Sequence, residues 1–358
     1  MDPITHAISG AALARAFPKN HIQPKHLFFL VLLAMAPDSD ILLRLFSDTV
    51  YLQHHRGLTH SLLMLPLWAW LVYSLASRSI RQNPVMPKLI ILALLLHICL
   101  DLITTFGTMI FAPFSDRRFS FDLLFLIDPL FSACLLIPLL AGLIWKQQSR
   151  KLSILGFALA FTYLALAYHN QQQGMALARK AHPDAISYHA LPMAFSPFNW
   201  QLIAKYPDDY DRAAVKLKPE FPGLSPLFND AFVTSLLSTK ISAPNHIIWQ
   251  TLPAMHTLKG TTQLPGTAFY AWFARFPVLL EQNQQFIDFG DLAFGAGAPG
   301  VRSSFQLHID LTDSDPAIPN NSNETSQPRA WLIWRGNQKS ELTLRSAPFN
   351  WAGSHVSD

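Results

Sequence analysis

Charge is scarce in this chain. Only 14% of its 358 residues are Asp, Glu, Lys or Arg, against roughly 25% in soluble globular proteins. Glutamate is missing altogether from residues 1–169, which hold 13 Lys/Arg and 8 Asp, whereas residues 170–358 hold 14 Lys/Arg and 15 Asp/Glu. So little charge argues against a disordered or nucleic-acid-coating protein, whose solubility and binding both rest on charge, and no nucleic acid is expected as a partner. Cysteine is nearly absent: Cys99 and Cys134 lie inside apolar runs, and the second half has none. No disulfide framework and no cysteine-ligated zinc site is therefore expected in that half. The N-terminus lacks the basic stretch and small-residue cleavage site of a secretory leader, with Asp2 where the basic residues would stand, so no cleavable signal peptide is expected.

What the chain has instead is long apolar runs. Ser61–Ser77 carries no charge over 17 residues, Leu123–Trp145 carries only Asp128 in 23, and Leu152–Tyr168 carries none in 17. A fourth run, Leu89–Thr105, is apolar apart from His97 and Asp101. A membrane-spanning helix needs about 20 mostly apolar residues, with a lower limit near 17, and these four meet it. Two shorter pieces precede them, Ile4–Phe17 and Leu27–Ala36, the second ended by Pro37. The expectation is an α-helical transmembrane bundle of about six helices over residues 1–169.

The loops suggest an orientation. Arg15, Lys19 and Lys25, then Arg78, Arg81 and Lys88, then Lys146, Arg150 and Lys151 form three basic groups with no acidic residue among them. Loops 37–60 and 106–122 mix four Arg with five Asp. The positive-inside rule places the basic loops in the cytoplasm. The mixed loops, and everything after residue 169, then lie on the periplasmic side of a bacterial inner (plasma) membrane.

Residues 170–358 read as a mixed, strand-rich soluble domain. Phe305–Leu311 alternates apolar with polar residues as a half-buried strand does, and Phe286–Leu292 and Ala330–Trp334 are further strand candidates. Phe228–Lys240 has the pattern of a helix capped by Asn229 or Asp230. Thr312–Pro328, rich in Asn, Ser, Asp and Pro, reads as a loop.

Residues that carry chemistry gather in the first half. On the expected topology His6 stands near the outer start of the first helix, Asp38 and Asp40 follow the outer end of the second, and His55 and His60 flank the outer start of the third. Asp101 lies 12 residues into the fourth run, about 18 Å along a helix at 1.5 Å per residue. His97 is one turn deeper on the same face. Ionisable groups in a membrane segment are costly and point to function, and imidazole with carboxylate is the donor set of zinc and similar divalent ions. A metal would offset the carboxylate charge and activate a water. Arg56 is the candidate for a two-point grip on a phosphate or carboxylate.

Blander readings exist for each piece. Pro-Asp38-Ser-Asp40 can be a loop leaving a helix, and the His54–Ser61 segment an interfacial stretch whose Ser or Thr caps the next helix. His97 and Asp101 can be a hydrogen-bonded pair holding helices together. His21 and His26 read as interfacial, and the C-terminal histidines as structural or surface residues. Asp116, Arg117, Arg118, Asp122 and Asp128 read as loop charges, with Asp122 and Asp128 the two nearest to joining the site. It is the convergence on one side of the membrane that favours a centre.

Together, Met-Asp-Pro-Ile-Thr-His6, Ala-Pro-Asp38-Ser-Asp40, His55-Arg-Gly-Leu-Thr-His60-Ser and Leu-His97-x3-Asp101 resemble the YdjM-type inner-membrane proteins, described as membrane-bound metal-dependent hydrolases. The motif set covers roughly residues 1–130. In the second half, Ser-Pro-Phe-Asn-Trp200 and Trp272-Phe-Ala-Arg275-Phe resemble short patches of the same family. A more distant likeness is to zinc-dependent phospholipase C and the P1-type nucleases: an early His, an Asp, a His about fifteen residues on, then His-x3-Asp. That likeness implies a zinc phospholipase C-like core in which Asp101 bridges metals, Asp40, His55 and His97 surround one of them, and His6 holds the other. It leaves Asp38 and His60 either as neighbours that orient the ligands or as ligands themselves. Those enzymes also use a mature amino terminus and a second His-x3-Asp/Glu pair. This chain has Met at residue 1 and lacks that pair, so one or two ions are implied rather than three.

The reading from sequence is a metal-dependent hydrolase in the membrane bilayer. Its metal is divalent, zinc first, held by His6, Asp38, Asp40, His55, His60, His97 and Asp101, with Arg56 and Asp101 in catalytic roles. Its substrate would be a phosphoester in a lipid or lipid-linked molecule. The alternatives are a non-catalytic membrane protein with a structural or sensing metal site, and a transporter.

Overall fold

The computed structural model describes residues 1–18, 22–194, 196–217, 241–295, 304–312, 329–334 and 338–342. Helix α1 (Pro3–Ala16) starts where the sequence signals it. Asp2 accepts from Thr5 N at 3.0 Å and from its hydroxyl at 2.6 Å, and Pro3 occupies the first helical turn. Its partner is α2 (Pro24–Met35), which comes close because residue 10 is glycine: a Cβ there would stand 2.7 Å from Ala34 Cβ and from Leu30 O.

The chain does not stop at Pro37. α2 passes into a 3₁₀ helix over Ala36–Leu45, and Pro24–Leu45 is one stretch of 22 residues apolar enough to cross a membrane. Proline has no N–H to give but suits the first turn of a helix, so Pro37 begins a tighter winding instead of ending the helical course. α3 (Asp48–His54) and a 3₁₀ turn (Leu58–His60) are followed by α4 (Leu65–Leu75), with a bend of 79° between the two parts. α5 (Arg78–Arg81), α6 (Met86–Leu102), α7 (Pro129–Ile144) and α8 (Ser149–Ala181) complete the helical part.

Among the described residues two helices are by themselves long and apolar enough to cross a bilayer, Pro24–Leu45 and Ser149–Ala181, and up to three if the bent pair is one span. The expected count of about six spans is thus not established. The apolar runs overstate the helices for a local reason. Leu123 and Leu124 are not in α7 but donate their N–H groups to Ile103 O at 2.9 and 3.0 Å, forming a loop that packs back on the end of α6. α7 begins only at its cap, Asp128, which accepts from Leu130 N and Phe131 N.

α8 runs without a break through residue 169 and leads into two antiparallel sheets. The first has strands β1 (Ser187–Pro192), β2 (Asn199–Lys205), β3 (Asp209–Lys216) and β4 (Gln250–Pro253) in that order. Helix α9 (Thr267–Phe273) precedes the second, β5 (Pro277–Gln282), β6 (Phe286–Asp291), β7 (Phe305–Asp310), β8 (Arg329–Trp334) and β9 (Gln338–Leu342). The strand expected from alternation is β7, and the two further strand candidates are β6 and β8. The expected helix Phe228–Lys240 and residues 313–328 of the expected loop lie outside the described residues.

Register explains why one face of the second sheet is dry. Phe289 pairs with Leu307 and Leu307 with Leu332, while Ile287 pairs with Ile309 and Ile309 with Ala330. All six are buried, one face of a period-2 ladder. Their core is shared with the helical half: Tyr51 and Leu52 of α3, and Phe106 after α6, pack into it with Phe269 and Phe273 of α9.

Candidate metal centre

Two breaks in regular helix and the last turns of a third helix bring the site together. The 3₁₀ helix after α2 carries Asp38 and Asp40, the bend between α3 and α4 carries His55, Arg56 and His60, and α6 presents His97 and Asp101 from successive turns just before it ends. His6 faces them from the second turn of α1. Arg56 has a left-handed backbone (φ 58°), which turns the chain sharply between α3 and the next 3₁₀ turn.

Asp38, His60, His97 and Asp101 each offer one ligand atom, and these atoms lie within 4.8 Å of one another. His60 Nε2 is 2.9 Å from Asp101 Oδ2 and 3.4 Å from Asp38 Oδ1. His97 Nε2 is 3.5 Å from Asp101 Oδ2 and 3.6 Å from Asp38 Oδ1. The two imidazoles meet through their Nε2 atoms at 2.9 Å.

The hydrogen bonds on the far sides of both rings decide what that meeting means. His97 Nδ1 is 2.6 Å from Ala34 O, a carbonyl that only accepts, so Nδ1 carries the proton. His60 Nδ1 is 2.8 Å from Thr59 Oγ1, whose own hydrogen goes to Asp40 Oδ2 at 3.2 Å, so this Nδ1 also donates. With the protons on the Nδ1 atoms assigned from this network, both rings turn Nε2 toward one point beside the two carboxylates, where a metal ion or a shared proton would relieve the repulsion of their lone pairs. Two imidazole nitrogens on one tetrahedral zinc, each about 2.0–2.1 Å from it, stand about 3.3 Å apart, so the pair, now at 2.9 Å, would open by a few tenths of an ångström to hold such an ion. Buried atoms without partners agree. Neither ring nitrogen of His6 has a hydrogen bond, nor does Asp101 Oδ2 despite its nearness to His60. Such atoms cost roughly 1–3 kcal/mol each unless something is bound to them. The donors present, imidazole and carboxylate, fit a divalent metal ion.

The other residues surround this group. His6 stacks on His97, ring centroids 3.8 Å apart, with Nε2 3.3 Å from Asp101 Oδ1. The amino group of Met1 is buried against the same oxygen. Asp40 stands behind: Oδ1 binds His55 Nδ1 at 2.9 Å, while Oδ2 accepts from Arg56 N at 3.0 Å and from Thr59. It thereby holds the loop that carries His60, as a carboxylate behind a ligand does. Arg56, 2% exposed, turns its guanidinium onto Asp101 Oδ1 at 2.9 Å and donates to Thr104 Oγ1 at 2.9 Å.

Several neighbours were not legible in sequence. Thr104 links Arg56 to Asp101 O, to which it donates at 2.8 Å. Phe106 lies 5.2 Å from the His55 ring and 5.1 Å from the Arg56 guanidinium. Arg118, which reads as a loop charge, packs on Phe106, Trp272 and Phe273, with Nη2 on Leu52 O at 2.8 Å. Burial first, and then the Arg56 charge, disfavour its charged form. Asp122 accepts both Nη atoms of Arg275. Burial opposes the Arg275 charge, but the Asp122 carboxylate outweighs it and raises the arginine above its ordinary value. Only the family-like patch around Arg275 marked that residue in advance.

Residues 1–174 match the YdjM inner membrane protein family. Over 138 residues the chain is 30% identical to the uncharacterized protein YfhP of Bacillus subtilis (strain 168), an alignment covering 36% of this chain and 42% of that protein. The chain thus spans less than half the length of the relative it matches. No solved structure matches.

Proposed function

We propose that the chain, whose residues 1–174 match the YdjM inner membrane protein family, is a metal-dependent hydrolase of the inner membrane, acting on a phosphoester in a lipid or lipid-linked substrate. The observation that carries this reading is the meeting of two histidine Nε2 atoms at 2.9 Å beside two carboxylates, all four ligand atoms within 4.8 Å of one another. Asp38, His60, His97 and Asp101 would hold the ion, with His6 in reach of the same space. A bound divalent ion supplies Lewis-acid polarisation of the phosphoryl oxygen and a water activated at neutral pH.

The chain's own residues do the rest. Arg56 offsets the Asp101 charge and keeps that carboxylate aimed. Asp40 holds His55 and the His60 loop in place. Asp38 is the most open of the four, with its side chain 20% exposed while the other three are at 0%, so substrate would approach past it. The substrate class follows from the rim. The 3₁₀ helix bearing Asp38 and Asp40 also exposes Ile41, Leu42, Leu45 and Phe46, the last two at 83% and 80%. Apolar side chains exposed together suit contact with lipid, and a headgroup in that leaflet would reach Asp38 laterally. The basic loops 15–25, 78–88 and 146–151 support a periplasmic position for this rim.

The test is metal analysis of the purified protein beside His97→Ala/Asp101→Ala, followed by hydrolysis assays on phosphoester lipids. Bound metal in wild type alone, with lipid turnover, supports the proposal. Equal metal content in both, or none in either, refutes it. A second reading is a structural or sensing metal site, favoured by four protein ligands of which three are fully buried, the closed arrangement of structural zinc. The d–d spectrum after cobalt substitution separates the two, since a site that keeps a water responds to added phosphate and a closed one does not.

A further inference from the structure

The strand-rich half reaches into the metal centre through a short series of contacts. Arg275, just after α9, grips Asp122 with both ends of its fork, Nη1 to Oδ1 at 2.6 Å and Nη2 to Oδ2 at 2.9 Å, and Nη1 also donates to Thr105 O at 3.1 Å. A two-point pair of this kind fixes direction as well as distance. The arginine is itself held: Asp291, fully buried, accepts from the backbone N–H of Arg275 at 2.9 Å and of Phe276 at 3.0 Å. On the other side of the clamp, Thr105 adjoins Thr104, the hydroxyl that ties Arg56 to the Asp101 backbone. The Asp122 segment is bonded to the same place, with Phe121 N on Leu102 O at 2.7 Å and Leu123 N on Ile103 O at 2.9 Å.

Phe106 makes the second connection. One side meets His55, and the other meets Phe273 at 6.2 Å, Phe294 at 5.9 Å and Phe305 at 6.3 Å, all from the strand-rich half. These contributors lie beyond the residues matched to the membrane-protein family, which end at 174.

We infer that α9 with strands β5 to β7 forms a roof over the metal centre, and that Arg275 is a positioning residue. It acts through Asp122 and Thr105 on the segment that aims Asp101, and through the seated roof on Phe106 and His55. The roof then governs which molecules reach His55 and the ligands beyond it. The inference rests on the proposed metal site for one of its two readouts only.

The test uses the full-length protein in detergent. With EDTA present, carbethoxylation of His55 by diethyl pyrocarbonate is followed by mass spectrometry in wild type, Arg275→Ala, Arg275→Lys and Phe273→Leu. Opening of the roof is expected to raise the His55 rate about ten-fold in Arg275→Ala, with a smaller rise in Arg275→Lys, which keeps the charge but loses the fork, and a rise in Phe273→Leu with every charge intact. With cobalt bound, the same variants are expected to shift the d–d bands. A merely structural arginine would lower the thermal midpoint while leaving the His55 rate at its wild-type value, and that result overturns the inference. If Arg275→Ala does not fold, Arg275→Lys and Phe273→Leu decide it by the same readout. A wild type that takes up no cobalt refutes the hydrolase reading and leaves the labelling in EDTA to judge the roof by itself.

Discussion

His97→Asn probes the centre most sharply, because the two ring nitrogens have different duties. Asparagine's amide nitrogen falls near the place of Nδ1 and can still donate to Ala34 O, now 2.6 Å from the ring, but nothing replaces Nε2. His97→Ala removes both. In metal-free protein His97→Ala leaves a buried carbonyl unpaired and a cavity, at a cost of roughly 2–4 kcal/mol. His97→Asn keeps the bond, and its smaller void should cost about 1 kcal/mol. With zinc the order changes. At free metal 100-fold above the dissociation constant, binding to the folded state alone stabilises by about 2.7 kcal/mol, which for a chain of this size is on the order of 5 °C in the thermal midpoint. Wild type should gain that shift, and both variants should lose most of it. The assay is thermal unfolding in detergent, with EDTA or with zinc, beside metal content. If His97→Asn keeps its metal and the zinc-dependent shift, the assignment of Nε2 as a ligand atom is wrong.

Other outcomes follow from the same geometry. Chelation of wild type should lower its midpoint reversibly, and readdition of a divalent ion should restore it; a midpoint indifferent to EDTA would leave the opposed lone pairs to be bridged by a proton instead. Gly10→Ala puts a Cβ 2.7 Å from Ala34 Cβ and Leu30 O, which should cost about 1–3 kcal/mol and, by moving Ala34, weaken metal uptake; a variant with wild-type stability and metal content would contradict the close approach of α1 and α2. Asp291→Ala strands the N–H groups of Arg275, Phe276 and Ala293, roughly 1–3 kcal/mol for each buried group left unpaired. Limited proteolysis should therefore cut near α9 in this variant first, and protection equal to wild type would count against the role given to that carboxylate.

The donor types and the membrane setting were legible in the sequence because they are matters of composition and short spacing. Apolar runs announce helices in a bilayer whatever their packing, and an imidazole four residues before a carboxylate shares its helix face by geometry alone, as His97 and Asp101 do. Alternation likewise marked β7. Only the tertiary structure could decide which donors point at one another. Asp38 and His60, which the distant likeness left without a settled place, stand in the four-residue group, and Asp40 and His55 stand beside it. That choice depends on the 3₁₀ helix after Pro37 and the left-handed turn at Arg56. Both are local backbone details that a hydrophobicity pattern does not encode. The roof was equally hidden, since Arg275 and Asp122 are separated by 153 positions, and no periodicity relates two residues that far apart. Sequence sets what each residue is able to do, whereas the folded chain sets which of them meet, because contacts between distant segments depend on packing the whole core at once.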